Sequence, residues 1–482
     1  DRALYFSSLL SEHMSEPEFR ARVSAVYVQK GRVLELRSQY PAAIENYQAM
    51  VQFAQEISDE AIQADAFNHL VTAQVVLAGP TPPNDELLEQ ARVLGQRVGD
   101  PTLSARALWN RGLVYRFTDT PRAVDSFEQA LALADANNLR ELAALVRLDM
   151  NIAEALLGHP RRAKELVEQA LAEFRALDMK PMITDALANL AGYAYGAGDP
   201  KAARAYAEEG RQLSQSIENP WGVLYNQLYL LTFDLEAGNL QRVLQKSEEN
   251  LARARQIGNP YFILNSYSIL VLAYLEWNQL ERAQSLADEA LDAFGGQEGS
   301  PLSLWARLLQ GGIQLKRGEL RSAHELMMPM VHSKEFPLIP FDEHNWFGQL
   351  IAELALLEER LEEGLGFCNR VLQQFQQEEQ NGLAAPMYYH RARLYQAEGQ
   401  LEKAERDALQ AADMLEQAEN RLVLWRAEGL LAEIYEAQGK REEARTRRAN
   451  AREVVIYIAE HSPLELREGY LNSEEVQRVL KE

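Results

Sequence analysis

Small and apolar residues recur along this chain at offsets of four and seven, the spacing that places them on one face of an α-helix. One series of segments carries Ala123, Phe127 and Ala130; Ala163, Val167 and Ala170; Ala283, Ala287 and Ala290; and Ala404, Ala408 and Ala411. The segment before each supplies a matching column: Leu270-Val271 with Tyr274, Arg391-Ala392 with Tyr395, and Leu431-Ala432 with Tyr435. Residues this small let two helices cross at close range. Long alternating runs of Val, Ile and Thr are missing, so the pattern predicts helices and no sheet.

The helices are punctuated at a fixed interval. Short turns precede an alanine-rich helix start at His159-Pro160, Asp199-Pro200, Asn239-Leu240, Gln279-Leu280, Glu319-Leu320, Gln400-Leu401 and Lys440-Arg441. The marker residue of each unit falls at 123, 163, 203, 243, 283, 323, 364, 404 and 444, so the period is 40 with one step of 41. Pro101, Pro181, Pro220, Pro260, Pro301 and Pro340 keep the same period half a unit away. Two turns per period mean two helices per repeat. Gly198-Asp199-Pro200 shows the expected chemistry in order: glycine for the left-handed end of one helix, aspartate to cap the next, proline for its first turn. A turn-rich insert, Gly79 to Asp85, distorts one unit, and Leu87, Ala91 and Leu94 are its displaced crossing residues.

This pattern resembles the tetratricopeptide repeat (TPR), whose helix-turn-helix unit has small residues at the crossing and a Tyr before the turn. The usual unit has 34 residues, so the helices or the loops here are longer. The resemblance implies an all-α, right-handed α-solenoid, a superhelix of about eleven TPR-like hairpins at a pitch of ~40 residues. Residues 1–14, with Ala3, Ser7 and Leu10 one period before Ala43, read as the second helix of a repeat whose first half lies upstream. Residues 15–460 form the array, interrupted near 79–85 and by a long loop at 329–346. Residues 461–482 read as capping helices, with Ser473 as an N-cap. This tail resembles that of STAND-class bacterial regulators, in which an ATPase module precedes a TPR array. That resemblance implies a sensor domain controlling an upstream ATPase or effector, with transcription regulation among the outputs.

Composition narrows the partners. A single core rarely exceeds ~250–300 residues, so a 482-residue chain suits a repeat array. The formal net charge is −22, which repels phosphate backbones and anionic lipid, so nucleic acid and membrane are not expected partners. The locally basic stretch Lys440 to Arg452 also holds Glu442 and Glu443 and reads as a solvated helix face rather than a contact patch. A lone cysteine, Cys368, excludes a disulfide framework, and no apolar stretch of 18 residues or signal peptide is present; a cytoplasmic protein is expected.

Catalytic signatures are missing: no G-x-x-x-x-G-K-[ST], G-x-G-x-x-G, H-E-x-x-H, G-x-S-x-G or C-x-x-C. No enzyme and no cofactor is expected. The loop residues His332, Asp342, Glu343 and His344 match no metal-ligand spacing, and Cys368 sits at a crossing position that suits core packing. A binding role remains. In TPR proteins the first helices line the inner wall. The column eighteen residues before the marker reads Asp185, Tyr225, Asn265, Trp305, Trp346, Pro386 and Arg426 through the later repeats. Candidate binding residues on this concave face are Asp185, Tyr195, Tyr225, Thr232, Asn265, Ser268, Trp305, Trp346, Gln349, Glu353, Tyr389 and Arg393. The competing reading makes Trp305, Trp346 and Tyr225 helix-packing residues. The expected partner is a peptide, a protein or a small-molecule inducer, with oligomerisation of the parent compatible. The alternative function is a stand-alone TPR adaptor that holds the tails of partner proteins.

Overall fold

The structure, a computed structural model, describes residues 15–79, 82–296, 300–331 and 341–481. Among them 24 α-helices follow one another, from Glu16–Leu36 to Glu474–Lys481, and there is no strand. Consecutive helices pack on one another from Glu16–Leu36 to Pro160–Ala176 and from Leu280–Phe294 to Glu474–Lys481, and the chain is an α-solenoid of TPR-like helical hairpins. Arg140–Leu156 and Pro160–Ala176 are typical, at 17 residues each with a three-residue turn between them. The long repeat therefore comes from longer helices, not longer loops.

The turns explain the strict period. At the end of Tyr40–Glu56, Ser58 N–H donates to Gln55 O at 3.1 Å and Asp59 N–H to Ala54 O at 2.9 Å. This pair of bonds satisfies the last carbonyls and needs one residue in the left-handed region. At Gly198, with φ +85°, glycine fills that place, and Asp199 Oδ1 then accepts from Ala202 N–H at 2.9 Å. Glycine is not the rule, however. Ser38, Ser58, Asn138, Asp178, Glu218, Asn278, Glu359, Glu379 and Glu419 occupy the equivalent places with φ between 52° and 58°. The register is held there by the packing of the flanking helices against local preference.

Crossing positions carry the core. Ala123, Ala130, Ala163, Ala170, Ala283, Ala287, Ala290, Ala404, Ala408 and Ala411 are fully buried. Where the second helix carries a large residue instead, the first supplies a glycine. A Cβ on Gly31 would lie 2.3 Å from the Tyr47 ring, one on Gly112 2.4 Å from Phe127, and one on Gly311 2.4 Å from Met327. Cys368 is buried in the same way.

The chain divides into two compact units. The first takes the chain up to Asn189 with Glu209–Tyr225 and Arg255–Pro260; the second takes Leu190–Glu208, Asn226–Ala254 and Tyr261 onward. Within each unit, hairpins far apart in sequence touch. In the first, the Tyr40 and Trp221 rings meet edge-on at 5.9 Å, and Asn259 Nδ2 donates to Val76 O across 183 positions. In the second, Gly198 abuts Gly382, Gly238 abuts Ile458, and Gln241 N–H donates to His461 O at 3.1 Å. The helices Leu464–Leu471 and Glu474–Lys481 pack on Arg441–Glu460 and bury Leu466, Tyr470, Val476 and Val479.

The half-hairpin assigned to 1–14 and the loop residue His332 lie outside the described residues, as do the side chains of Asp342, Glu343 and His344. The basic stretch is a paired surface: Lys440 bonds Glu405 at 3.0 Å, Arg447 bonds Glu428 at 2.9 Å and Arg448 bonds Glu436 at 2.8 Å.

Candidate functional site

One member of the first-helix column, Arg426, gathers a charged cluster, a polar recess, in the second unit. Arg426, on the helix Arg421–Ala437, is its hub. Its Nη2 lies 2.9 Å from Glu276 Oε2, at the end of the helix Pro260–Glu276 and 150 positions earlier in sequence. Its Nε lies 2.7 Å from Glu475 Oε1 and its Nη2 3.1 Å from Glu475 Oε2, on the C-terminal helix. Its Nη1 donates to Leu422 O at 2.7 Å, and its guanidinium carbon stands 4.5 Å from the Trp425 ring centre. Two helices earlier in the chain, on Ala384–Ala397, Arg393 Nη1 bonds Glu353 Oε2, and the Arg393 guanidinium carbon lies 5.7 Å from the centre of the Tyr389 ring. His390 Nδ1 is 3.6 Å from the same Glu353 oxygen.

Charge states follow from crowding and opposite charge. Burial works to raise the Glu475 carboxyl, but Arg426 and Lys316 outweigh it and hold it down at about 2. Burial acts likewise on Glu353, where Arg393 and His390 prevail and the carboxyl sits below its ordinary range. Burial pushes His390 down to about 3 and the Tyr389 hydroxyl up to about 12. At neutral pH the recess therefore holds Glu353 and Glu475 as carboxylates beside Arg393 and Arg426, with a neutral imidazole and phenol next to them.

Of the residues proposed from sequence, Glu353, Tyr389 and Arg393 belong to this recess. Asn265, Ser268 and Trp305 do not face open space. Trp305 is 1% exposed, its Nε1 donates to Ser268 Oγ at 2.7 Å, and Asn265 is buried on the same helix as Ser268. At Trp305 neighbouring first helices approach closely enough to enclose the side chain. Trp346 is half-buried against Phe347, ring centres 4.8 Å apart. Tyr195 donates to Glu236 Oε1 at 2.5 Å and packs on Phe233. Thr232 Oγ1 bonds back to Leu228 O at 3.2 Å within its own helix. Gln349 and Tyr225 are half-buried.

Asp185 stands in the first unit. Its Oδ1 is shielded from solvent and makes no hydrogen bond, and burial together with the nearby Asp149 pushes its carboxyl up to about 8. Asp149 itself accepts from Trp109 Nε1 at 2.9 Å and pairs with Arg116 at 3.2 Å. Glu35, on the first described helix, accepts from Tyr47 at 3.0 Å and is raised by burial to about 7, against the pull of Tyr47, Arg32 and Arg106.

Sequence reading missed Glu276, Lys316, His390 and Glu475, and placed Arg426 in the column without singling it out. The only local signal is the switch of that column from apolar to charged at 426. Cys368, the sole cysteine, is buried and pushed up to about 12 by that burial. No group of His, Cys, Asp and Glu among the described residues could hold a metal ion, and no described helix is long and apolar enough to cross a membrane.

No protein-family model matches the chain, and no curated protein matches it. Among solved structures it is similar to a Rap protein complexed with competence and sporulation factor, at 12% identity over 91% of this chain and 99% of that one, with a TM-score of 0.38. It is also similar to a signal transduction ATPase with numerous domains from Pyrococcus horikoshii, a STAND protein with a tetratricopeptide repeat sensor. There the identity is 14% over 84% of this chain, the TM-score is 0.35, and the chain spans 55% of that protein's length. At these identities and scores neither neighbour bears on what this chain binds.

Proposed function

We propose that the chain is a non-catalytic sensor module that binds a peptide, protein or small-molecule inducer at the Arg426 recess and controls an ATPase or effector linked to it. The meeting of Arg426 with Glu276 and Glu475 carries this reading. It brings side chains from the helix Pro260–Glu276, the helix Arg421–Ala437 and the C-terminal helix to one charged cluster, where charged groups give orientation and aromatic rings give area. The absence of chemistry is part of the proposal: the sole thiol stays protonated and enclosed, and His390 stays neutral, so neither is poised as nucleophile or proton carrier. A cytoplasmic setting, where a lone thiol stays reduced, completes it.

The test is a thermal-shift comparison of wild type and Arg393→Ala against a library of peptides and small organic acids. Occupants that stabilise the wild type and lose at least tenfold in affinity with the variant support the reading. Occupants that bind both equally place recognition elsewhere. Control of a linked ATPase separates a sensor from a plain adaptor: an adaptor's occupant leaves the ATPase rate unchanged.

A further inference from the structure

We infer that the Arg426, Arg393 and Lys316 recess is a binding site for a carboxylate-bearing ligand, and that Glu475 of the C-terminal helix occupies it as an internal stand-in. The inference rests on the proposed binding role and gives its ligand a chemistry.

The first observation is the pairing geometry. Glu475 meets Arg426 side-on through two contacts, Nε to Oε1 at 2.7 Å and Nη2 to Oε2 at 3.1 Å, which is how a guanidinium takes a free carboxylate. The second is an asymmetry between donor and acceptor. The Arg426 side chain is 12% exposed and is fixed independently of Glu475 by Leu422 O, by Glu276 and by the Trp425 ring. The Glu475 side chain keeps 46% of its surface open to water. The cation is preset, and the side chain that carries the anion is the more open of the pair.

The third observation is charge. Without Glu475, Arg426 keeps Glu276 and Arg393 keeps Glu353 among the described residues, while the anion that Arg426, Arg393 and the exposed Lys316 together hold is gone. An arriving carboxylate replaces it. The carrier of Glu475 also suits displacement. It is an eight-residue helix, too short to persist alone, anchored by Val476 and Val479. A ligand carboxylate that takes the Glu475 oxygens' place leaves the side chain free to swing into water, with the C-terminal helix loosened behind it.

The experiment uses the full chain with Glu475→Ala, which keeps both apolar anchors, and Glu475→Gln as the variant that preserves side-chain shape. Propionate and glutarate are titrated into each, with inorganic phosphate and chloride as comparison anions, and melting temperature and affinity are read together. The expected result is saturable carboxylate binding at least tenfold tighter in Glu475→Ala than in wild type, where the tethered acid competes. That gain should disappear in Glu475→Ala/Arg426→Lys. Glutarate at high concentration should also speed hydrogen exchange of residues 474–481 in the wild type. Equal carboxylate affinity in wild type and both single variants overturns the inference, as does phosphate binding as tightly as carboxylate. Peptides that stabilise the wild type through Arg393 without needing a carboxylate would remove this assignment and leave the binding role standing.

Discussion

Trp277 donates its indole N–H to Ser462 Oγ at 2.7 Å across 185 positions of sequence, and both side chains are buried. Ser462 Oγ in turn donates to Ile458 O at 2.6 Å, and the Tyr470 ring centre lies 5.5 Å from that of Trp277. A polar stitch of this kind, inside an apolar contact, ties the C-terminal helices to a hairpin near the middle of the chain. Removing one partner strands the other. Ser462→Ala should cost about 1–3 kcal/mol by leaving the indole N–H unsatisfied. Trp277→Phe/Ser462→Ala should cost less than the sum of the single changes. Urea denaturation of the three variants measures this, and strict additivity would show that the bond contributes nothing.

Gly382 provides a sharper steric case. A Cβ there would sit 2.4 Å from Gly198 N and 2.6 Å from Tyr195 O. Backbone lies on both sides, so relief requires two turns to separate. Gly382→Ala should cost about 1–3 kcal/mol, as overpacking does. Gly399→Ala, at φ +76° with open space around its would-be Cβ, should cost only the left-handed strain, about 1 kcal/mol. Chemical denaturation compares them; equal losses would mean the Gly198 contact is loose.

The left-handed glutamates are places to gain stability. Glu359 at φ 58° and Glu419 at φ 57° hold a conformation that a side chain disfavours by about 1–2 kcal/mol. Replacing either with Gly returns most of that, less the greater freedom of the unfolded chain, for a net gain of about 0.5 kcal/mol. A raised midpoint in a denaturant titration checks it, and a lowered one would show that the acidic side chains make compensating contacts.

Titration should act in opposite directions in the two units. Asp185 at about 8 and Glu35 at about 7 bind a proton more tightly when folded than the unfolded carboxyl does near 4. The folded state therefore holds more protons above that value, and stability falls as pH rises toward 7 to 8, by up to about 1.4 kcal/mol per pH unit for each group. Glu475, held at about 2, contributes stability that is lost as pH falls from about 4.5 toward 2. Asp185→Asn should flatten the decline between pH 5 and 8 in a series of thermal melts. An unchanged slope would mean that Asp185 is as well solvated as an exposed acid.

The pitch, the crossing alanines and the proline starts are legible in sequence because each is decided within a few residues by helix geometry. The choice between longer helices and longer loops is less so: residues such as Glu218, Glu359 and Glu419 stand where glycine is expected, and only packing shows that a turn closes on them. The recess is legible least. Trp305 and Arg426 occupy the same column, yet one is sealed against Ser268 and the other meets Glu276 and Glu475. Which outcome a position meets depends on what the hairpins several repeats away bring to it, and no local pattern encodes that distance.

The seams between distant hairpins also constrain how such a chain can change length. A repeat protein whose units touch only their immediate neighbours tolerates duplication or loss of a unit in the middle. Here one added hairpin between Trp277 and Arg426 would carry Ser462 a full period out of step, and would pull Arg426 from Glu276 and Ile458 from Gly238 with it. Copy number in this stretch is fixed by stitching, so variation is easier by substitution within hairpins than by gaining or losing them.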